Sequence, residues 1–329
     1  DGATGYLVGE ENKGLAYMFT FMNFARIGTG LQGLAHTELA FQKSLAYARD
    51  RLQMRSLSGP KNPGGPADPI IVHPDVRRML LTQKAFAEGG RALIYFASTQ
   101  GDILTKSDNP EARELANHVL NFLTPIIKAF LTETGFESAN LGLQCFGGHG
   151  YVNEWGLEQN VRDARIGTLY EGTTGIQALD LLGRKVLGTR GKALAPVTGF
   201  ILDFCKRSKD VKEIRPYLRK LVRLTKQWKA LTRKIGFAAM RNRDAVGAAS
   251  VDYIMFSGYV LLGVAWAASA RAAYKRLEQG TTEEAFYRAK IQTAEFYFAK
   301  ILPRTTALLE TMSTGPDSLM KMDEQQFMF

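Results

Sequence analysis

Helical periodicity is the feature that most constrains the fold, and it runs almost unbroken from about Leu15 onward. Apolar residues recur at helical spacing between Thr29 and Arg51, and a second helix is predicted to begin at about Asp75. Asn109-Pro110-Glu111 predicts another helix start, because Asn caps helices and Pro suits the first turn. No stretch after residue 15 alternates apolar and polar residues as a half-buried strand does. The sequence therefore predicts an all-α fold.

Three interruptions divide this helical pattern. Residues 56–69 concentrate Gly, Pro, Asn and Ser, and they predict a loop. Pro125 predicts a kink within the third helix. Residues 189–199 lose the apolar stripe and predict a linker between two domains. Because 329 residues exceed one average domain, we predict two helical domains, one over 15–188 and the other over 200–329.

Within the second domain, two long helices are predicted to end near Ala273 and Ser313, with Pro303 inside the last one. The segment Tyr253 to Ala270 is uncharged and about long enough to span a bilayer. However, Asp252 and Arg271 bracket it closely, and small residues dilute its hydrophobicity. A helix buried inside the protein is therefore the favoured interpretation, with no membrane span.

The first fourteen residues differ from the rest of the chain. They are polar and rich in glycine, with no initiator Met and no signal region, and they are typical of the end of a β-structure that runs into a helix. The chain is accordingly expected to be a fragment or a processed product.

Cysteine and histidine usage gives no sign of a metal site. Cys145 and Cys205 lie far apart and fit neither a disulfide nor a metal spacing, which favours a reducing, cytoplasmic setting. The four histidines are scattered, without a metal-binding motif. No metal is predicted.

The net charge of +10 admits a nucleic acid or an anionic ligand as a partner. The densest basic run, Arg215 to Arg243, alternates with apolar residues at helical spacing. A solvated helix face is therefore favoured, and nucleic acid is not predicted to bind.

The residues that point to chemistry lie between 143 and 187. Gly147, Gly148 and Gly150 allow a ligand to approach the backbone closely, although a simple turn is the favoured explanation when they are considered alone. Glu171 is a lone carboxylate that could cap a helix starting at Thr173 or Thr174. When these residues are considered without comparison to any protein family, both a structural and a functional role remain open for them.

Taken together, this segment closely resembles the acyl-CoA dehydrogenase family. The motifs that match, at the family's spacing, are Gln144 with Gly147, Gly148, Gly150 and Tyr151; Arg162, Asp163 and Ala164; Tyr170, Glu171, Gly172 and Thr173; and Ile176 with Gln177. The stretches "GYLVGEENKGL", "MNFARIGTG" and "AYARDR" are similar to the family's last β-domain strand and its first long C-terminal helix. The resemblance covers residues 5 to about 188, and the extension beyond resembles larger bacterial members, including those that act on 3-methylthiopropanoyl-CoA. It implies that residues 1–14 are the remnant of the family's central β-domain and that residues 15–188 form its C-terminal four-helix bundle.

The resemblance implies a role for each matched residue. Glu171 is implied as the general base that removes the α-proton of an acyl-CoA thioester while the β-hydride moves to FAD. The residues implied to hold FAD, partly across a dimer interface, are Arg51, Gln144, Gly147, Gly148 and Thr173. Those implied to contact the substrate are Asn23, Arg26, Tyr170 and Gly172.

The resemblance also implies partners, namely an electron-transfer flavoprotein and further copies of the chain in a dimer or tetramer. An oxidase that passes electrons to oxygen is a close variant. A DNA-associated homologue and a non-catalytic helical assembly module are the alternatives. Because the family's β-domain supplies much of the flavin site, this chain alone is expected to fold but to be colourless and inactive.

Overall fold

Long α-helices make up most of the protein, of which the computed structural model describes residues 2–328. The first three are α1 (Gly14–Asp50), α2 (Pro74–Lys106) and α3 (Pro110–Phe146). The side chain of Asn109 accepts hydrogen bonds from the backbone N–H groups of Glu111 and Ala112 at 2.9 and 3.2 Å, so the predicted cap of α3 is confirmed. Within the described range the only strand-type pairing is an isolated bridge between Leu52 and Pro69. The predicted all-α class is confirmed.

Helices α1 and α3 touch through their backbones. A Cβ atom added to Gly135 would lie 2.5 Å from the carbonyl oxygen of Gly33. One added to Gly33 would overlap the carbonyl oxygen of Leu131 in the same way. Glycine is therefore required at both positions, since any side chain would push the two helices apart.

Shorter helices follow α3 and lead into the second half of the chain. They are α4 (Gly148–Tyr151), α5 (Leu157–Ile166) and α6 (Thr174–Leu179), the last continuing without a break into a π-helical segment, Asp180–Leu187. The second half contains α7 (Leu194–Arg207), α8 (Arg215–Arg241), α9 (Asp244–Glu278), α10 (Glu284–Phe296), α11 (Arg304–Thr311) and α12 (Asp317–Met320).

Two predictions about helices in the second half are wrong, and one helix begins within the segment that was predicted as the linker. Helix α7 begins at Leu194, inside the predicted linker, because Leu194, Val197 and Ile201 form a buried face. Helix α9 continues to Glu278, past the predicted end at Ala273. Pro303 does not lie inside the last helix but precedes α11, after a π-helical segment (Tyr297–Ile301), as fits a residue that has no backbone N–H.

Helix α9 is the centre of the second half. It is the one helix among the described residues that is long and apolar enough to cross a membrane, yet 78% of its most apolar window is buried in the protein. Its aromatic residues Tyr253, Phe256 and Trp266 are almost fully buried. The predicted buried helix is confirmed.

The two predicted domains share one hydrophobic core. The indole Nε1 of Trp266 in α9 donates to the carbonyl oxygen of Ala85 in α2 at 3.0 Å, and the ring of Tyr259 meets that of Phe130 in α3 edge to face. Arg304 forms a bidentate ion pair with Glu137 of α3, at 2.8 and 2.7 Å. The second half is therefore packed against the bundle, and the bundle is covered on one side by α9.

The segment before α1, residues 2–13, is exposed and has no helix or strand. A strand needs a neighbouring strand to accept and donate its ladder of hydrogen bonds. The β-domain remnant predicted for residues 1–14 therefore stays a prediction.

Candidate active site

Glu171 lies on a tight turn between α5 and α6. Its backbone is left-handed, with φ 56°, and Gly172 follows with φ 91°. A non-glycine residue in this region is uncommon and costs roughly 1 kcal/mol or more. Thr173, and not Glu171, caps α6, because its hydroxyl oxygen accepts from the backbone N–H of Ile176 at 3.3 Å. The helix-capping alternative for Glu171 is therefore wrong.

The carboxylate of Glu171 makes no hydrogen bond or ion pair within the described chain. The side chain is half-buried, and no hydrogen bond or ion pair engages its oxygen atoms among residues 2–328. Its backbone, in contrast, is firmly held. The amide of Gln177 donates to the carbonyl oxygen of Glu171 at 2.9 Å. The turn thus presents a fixed backbone and an unpaired carboxylate.

Lys128 of α3 lies directly behind this turn. It is fully buried, and its Nζ donates to the carbonyl oxygen of Gly172 at 2.6 Å. Burial lowers the pKa of Lys128 to about 8, an effect that the nearby Glu133 partly opposes. The motifs did not reveal this residue. The available signal was a lysine within an apolar helical stripe, next to Ile126 and Ile127.

Of the predicted substrate residues, Asn23 and Arg26 lie on α1, and Tyr170 reaches this helix from the Glu171 turn. Nη1 of the buried Arg26 donates to the carboxylate of Asp180 at 3.2 Å, while its Nε has no partner among the described residues. Asn23 donates to the side chain of Asn121 at 2.9 Å. The hydroxyl of Tyr170 donates to Gln32.

Three cationic side chains lie next to the carboxylate of Asp180, at the start of the π-helical segment. Besides Arg26, Arg184 approaches it at 2.5 Å and Lys185 at 3.9 Å. Burial lowers the pKa of Lys185 to about 8, and the Asp180 carboxylate opposes this shift. Sequence periodicity did not predict the π-helical segment that brings Asp180 and Lys185 to Arg26.

A second group of predicted residues lines a cavity of about 590 Å³ at the other end of α3. Arg51, Gln144, Gly147 and Gly148 all contribute to its wall. A Cβ added to Gly147 or Gly148 would meet no atom within 4 Å, so both backbones face open space. No hydrogen bond or ion pair engages the Arg51 side chain in the part of the chain that is described. Thr173 is not in this cavity and lies at the Glu171 turn.

Aromatic residues form one wall of the same cavity. The rings of Tyr47 and Phe146 stack with their centroids 4.0 Å apart, and the ring of His149 stacks on that of Trp155 at 5.2 Å. The hydroxyl of Tyr47 lies 2.9 Å from Nδ1 of His149. Flat rings beside a free guanidinium and two open glycines can hold a ligand that carries both an aromatic ring and phosphate groups.

The loop predicted at residues 56–69 connects Met54 and Ile70, which both line this cavity, and it is organised around Asp68. Its fully buried carboxylate accepts from the backbone N–H groups of Ser56, Lys61 and Asn62 at 2.7 to 2.9 Å, and from Arg55 at 3.3 Å. Burial alone raises the pKa of a carboxyl, but these donors lower the pKa of Asp68 to about 2. Because the folded-state pKa is depressed, the stabilisation is present above about pH 4 and is lost as the pH falls towards 2.

Replacing Asp68 by Asn is therefore expected to loosen this loop at neutral pH, since a neutral amide cannot accept from all four donors as a carboxylate does. Amide hydrogen exchange over residues 53–69 is expected to rise. The exposed Asp75, which pairs with Arg78 at the surface, provides the control Asp75→Asn, for which no change is expected there. Equal exchange in the two variants would contradict the role assigned to Asp68.

Two protein families match this chain in succession. Residues 12–187 match the family described as acyl-CoA dehydrogenase, C-terminal domain, and residues 197–323 match the one described as acetyl-CoA dehydrogenase C-terminal like. The chain is 41% identical to 3-methylmercaptopropionyl-CoA dehydrogenase of Ruegeria pomeroyi, over 97% of this chain and 54% of that protein. It spans about half the length of the curated relatives it matches.

Two solved structures share the fold. Caenorhabditis elegans ACDH-11 in complex with C11-CoA has a TM-score of 0.69 at 19% identity, covering 89% of this chain and 45% of that one. A Bacillus anthracis acyl-CoA dehydrogenase complexed with FAD has a TM-score of 0.68 at 18% identity, covering 93% and 51%. The resemblance that the motifs indicated is confirmed by the family match over residues 12–187. The chain belongs to the acyl-CoA dehydrogenase family.

Proposed function

We propose that the protein containing this chain is an FAD-dependent acyl-CoA dehydrogenase, in which Glu171 removes the α-proton of an acyl-CoA thioester and the product is the trans-2-enoyl-CoA. One observation carries this proposal. Glu171 presents a half-buried carboxylate with no partner among residues 2–328, on a backbone turn that is held from behind. A general base needs this combination, because a carboxylate engaged in an ion pair is a weaker proton acceptor.

The chemistry demands a positioned base, since the α-proton of a thioester is a poor acid. In general a carboxylate is a stronger base when it is desolvated, so the reaction benefits when the substrate displaces water from the site. The left-handed turn fixes the direction from which this carboxylate meets the α-carbon. Asn23 and Arg26 lie on α1, and Tyr170 reaches this helix from the Glu171 turn. We propose that these three residues orient the acyl-CoA.

The cavity at the end of α3 fits the phosphate and adenine portion of FAD. Its residues supply an unpaired guanidinium, two glycine backbones that face open space, and stacked aromatic rings. We propose that Arg51, Gln144, Gly147 and Gly148 hold this portion, and that Thr173 contacts the cofactor near Glu171. When bound, FAD supplies the acceptor for the hydride that leaves the β-carbon.

The distance between the two sets of residues supports a homo-oligomer. Lys128, behind the Glu171 turn, and Gln144 are 16 residues apart on α3, which is about 24 Å at the helical rise. We propose that the cavity receives FAD from a second copy of the protein, while Glu171 works with the FAD of its own subunit. We also propose that the protein is cytoplasmic and that it passes electrons to an electron-transfer flavoprotein.

A panel of acyl-CoA substrates tests this function on the full-length protein. The panel includes straight chains of increasing length and 3-methylthiopropanoyl-CoA, since relatives are named for a methylthio substrate or were crystallised with C11-CoA. The expected result is a yellow protein that reduces an artificial electron acceptor with at least one member of the panel. Peroxide formation in air at the same rate would identify an oxidase, and a colourless protein without activity would contradict the proposal.

A further inference from the structure

We propose that Lys128 and Gln177 are positioning residues for Glu171, which together hold the Glu171–Gly172 turn from its buried side. Lys128 donates to the carbonyl oxygen of Gly172 at 2.6 Å, and Gln177 donates to that of Glu171 at 2.9 Å. Both side chains are fully buried. The inference rests on the function proposed above, because positioning of Glu171 matters for turnover only if Glu171 is the base.

The turn needs such donors because its conformation is costly. Two consecutive residues have positive φ, and the first of them is not glycine. Carbonyl groups that point into the protein also require hydrogen-bond donors, since an unsatisfied buried carbonyl costs about 1–3 kcal/mol. Lys128 and Gln177 supply these donors and thereby stabilise a backbone that leaves the carboxylate of Glu171 without a partner.

Burying a lysine for this purpose is itself unfavourable. A buried ammonium group loses its hydration, which is the main cause of the lowered pKa of Lys128. The charged groups around it are Glu133 on its own helix, Glu171 on the turn and Arg26 on α1. The two carboxylates favour the charged lysine and Arg26 opposes it. An amide or a hydroxyl would donate to one carbonyl oxygen at a lower cost in free energy. Stability alone therefore does not explain a lysine at this position, whereas a role in positioning Glu171 does.

The neighbouring contacts tie the turn to α3 as one unit. The hydroxyl of Thr174, at the start of α6, donates to Glu133 of α3 at 2.5 Å. A Cβ added to Gly172 would lie 2.5 Å from the amide nitrogen of Gln177, so the second position of the turn fits only glycine. The turn is thus anchored at Gly172, Glu171 and Thr174, and only the carboxylate side remains open.

The test compares Lys128→Met in the full-length enzyme with Lys220→Met. Lys220 also donates to a backbone carbonyl oxygen, that of Phe298 at 3.1 Å, but lies in the second half of the chain. Lys128→Met is expected to lower kcat about 10- to 100-fold with little change in KM, because a misplacement of about 1 Å costs this much. Amide exchange over residues 167–177, measured without substrate, is expected to rise. Lys220→Met is expected to change neither kcat nor the amide exchange over residues 167–177.

Gln177→Met provides the second variant and removes the other donor. It is expected to give the same loss of kcat and the same rise in amide exchange, so a folding failure of Lys128→Met leaves the inference testable. If Glu171→Gln lowers turnover while both positioning variants keep wild-type kcat and exchange, the inference is wrong and the proposed function stands. If Glu171→Gln itself keeps wild-type turnover, the proposed function fails instead.

The pH dependence of stability gives an independent check on the buried charge. Because the folded-state pKa of Lys128 is about 8 and its ordinary value is 10.5, the unfolded chain binds more protons between these pH values. Stability is therefore expected to rise with pH in this window, and Lys128→Met is expected to show a smaller rise. An identical slope in the variant would show that Lys128 is not buried as a charged group.

Discussion

Replacing Glu171 by Gln in the full-length protein is expected to lower turnover by ~10²- to 10⁴-fold or more while FAD stays bound, because removal of a positioned base costs this much. The amide has the same shape as the carboxylate but cannot accept the α-proton. Since Glu171 is not in the cavity formed by Arg51 and Gln144, the cofactor is expected to remain in place. Rapid mixing of the oxidised variant with substrate measures the rate of flavin reduction directly.

Glu114→Gln is the matched control for this prediction. Glu114 is an exposed carboxylate on α3 with no role in either site, and its replacement is expected to leave flavin reduction unchanged. If the Glu171→Gln variant reduces its flavin as fast as Glu114→Gln does, Glu171 is not the base.

Replacing Gly33 by Ala is expected to have the largest effect on stability, lowering the free energy of unfolding by about 3 kcal/mol. The added methyl group would overlap the carbonyl oxygen of Leu131, a backbone atom that cannot rotate away. Helices α1 and α3 would have to separate, and the side chains packed between them would lose contacts as well. Chemical unfolding followed by circular dichroism measures the change.

Gly28→Ala on the same helix serves as the control. A Cβ at Gly28 meets no atom within 4 Å, so this variant gains helix propensity without a clash and is expected to be equal to or slightly more stable than the original. If the two variants unfold at the same denaturant concentration, the close backbone contact between α1 and α3 is not present in solution.

The helical fold could be predicted from the sequence because local periodicity and capping determine it. Asn109 begins α3 as expected, and the apolar segment from Tyr253 to Ala270 lies inside the protein. The boundary errors arose where tertiary packing extends or interrupts a helix. Leu194 lies in a helix because it is buried against the core, and this burial depends on residues far away in the sequence.

The candidate site could be predicted only in part. The motifs implied Glu171, Arg51, Gln144, Gly147 and Gly148, and the last four do line one cavity. The separation of Thr173 from that cavity was not predictable, since spacing along a chain does not give distances in space. Lys128 and Asp68 were missed for a similar reason. Lys128 meets Gly172, 44 residues later, and Asp68 closes its loop mainly through backbone N–H donors that any residue type except proline could provide.

Proton removal can be separated from hydride transfer with an acyl-CoA analogue that has sulfur at the β-position and therefore no hydride to lose. Incubated with the full-length enzyme in deuterated water, this analogue is expected to gain deuterium at its α-carbon, as measured by mass spectrometry. The rate with Glu171→Gln is expected to fall to that of the uncatalysed reaction. Exchange at the wild-type rate in Glu171→Gln would contradict the assignment of Glu171 as the base.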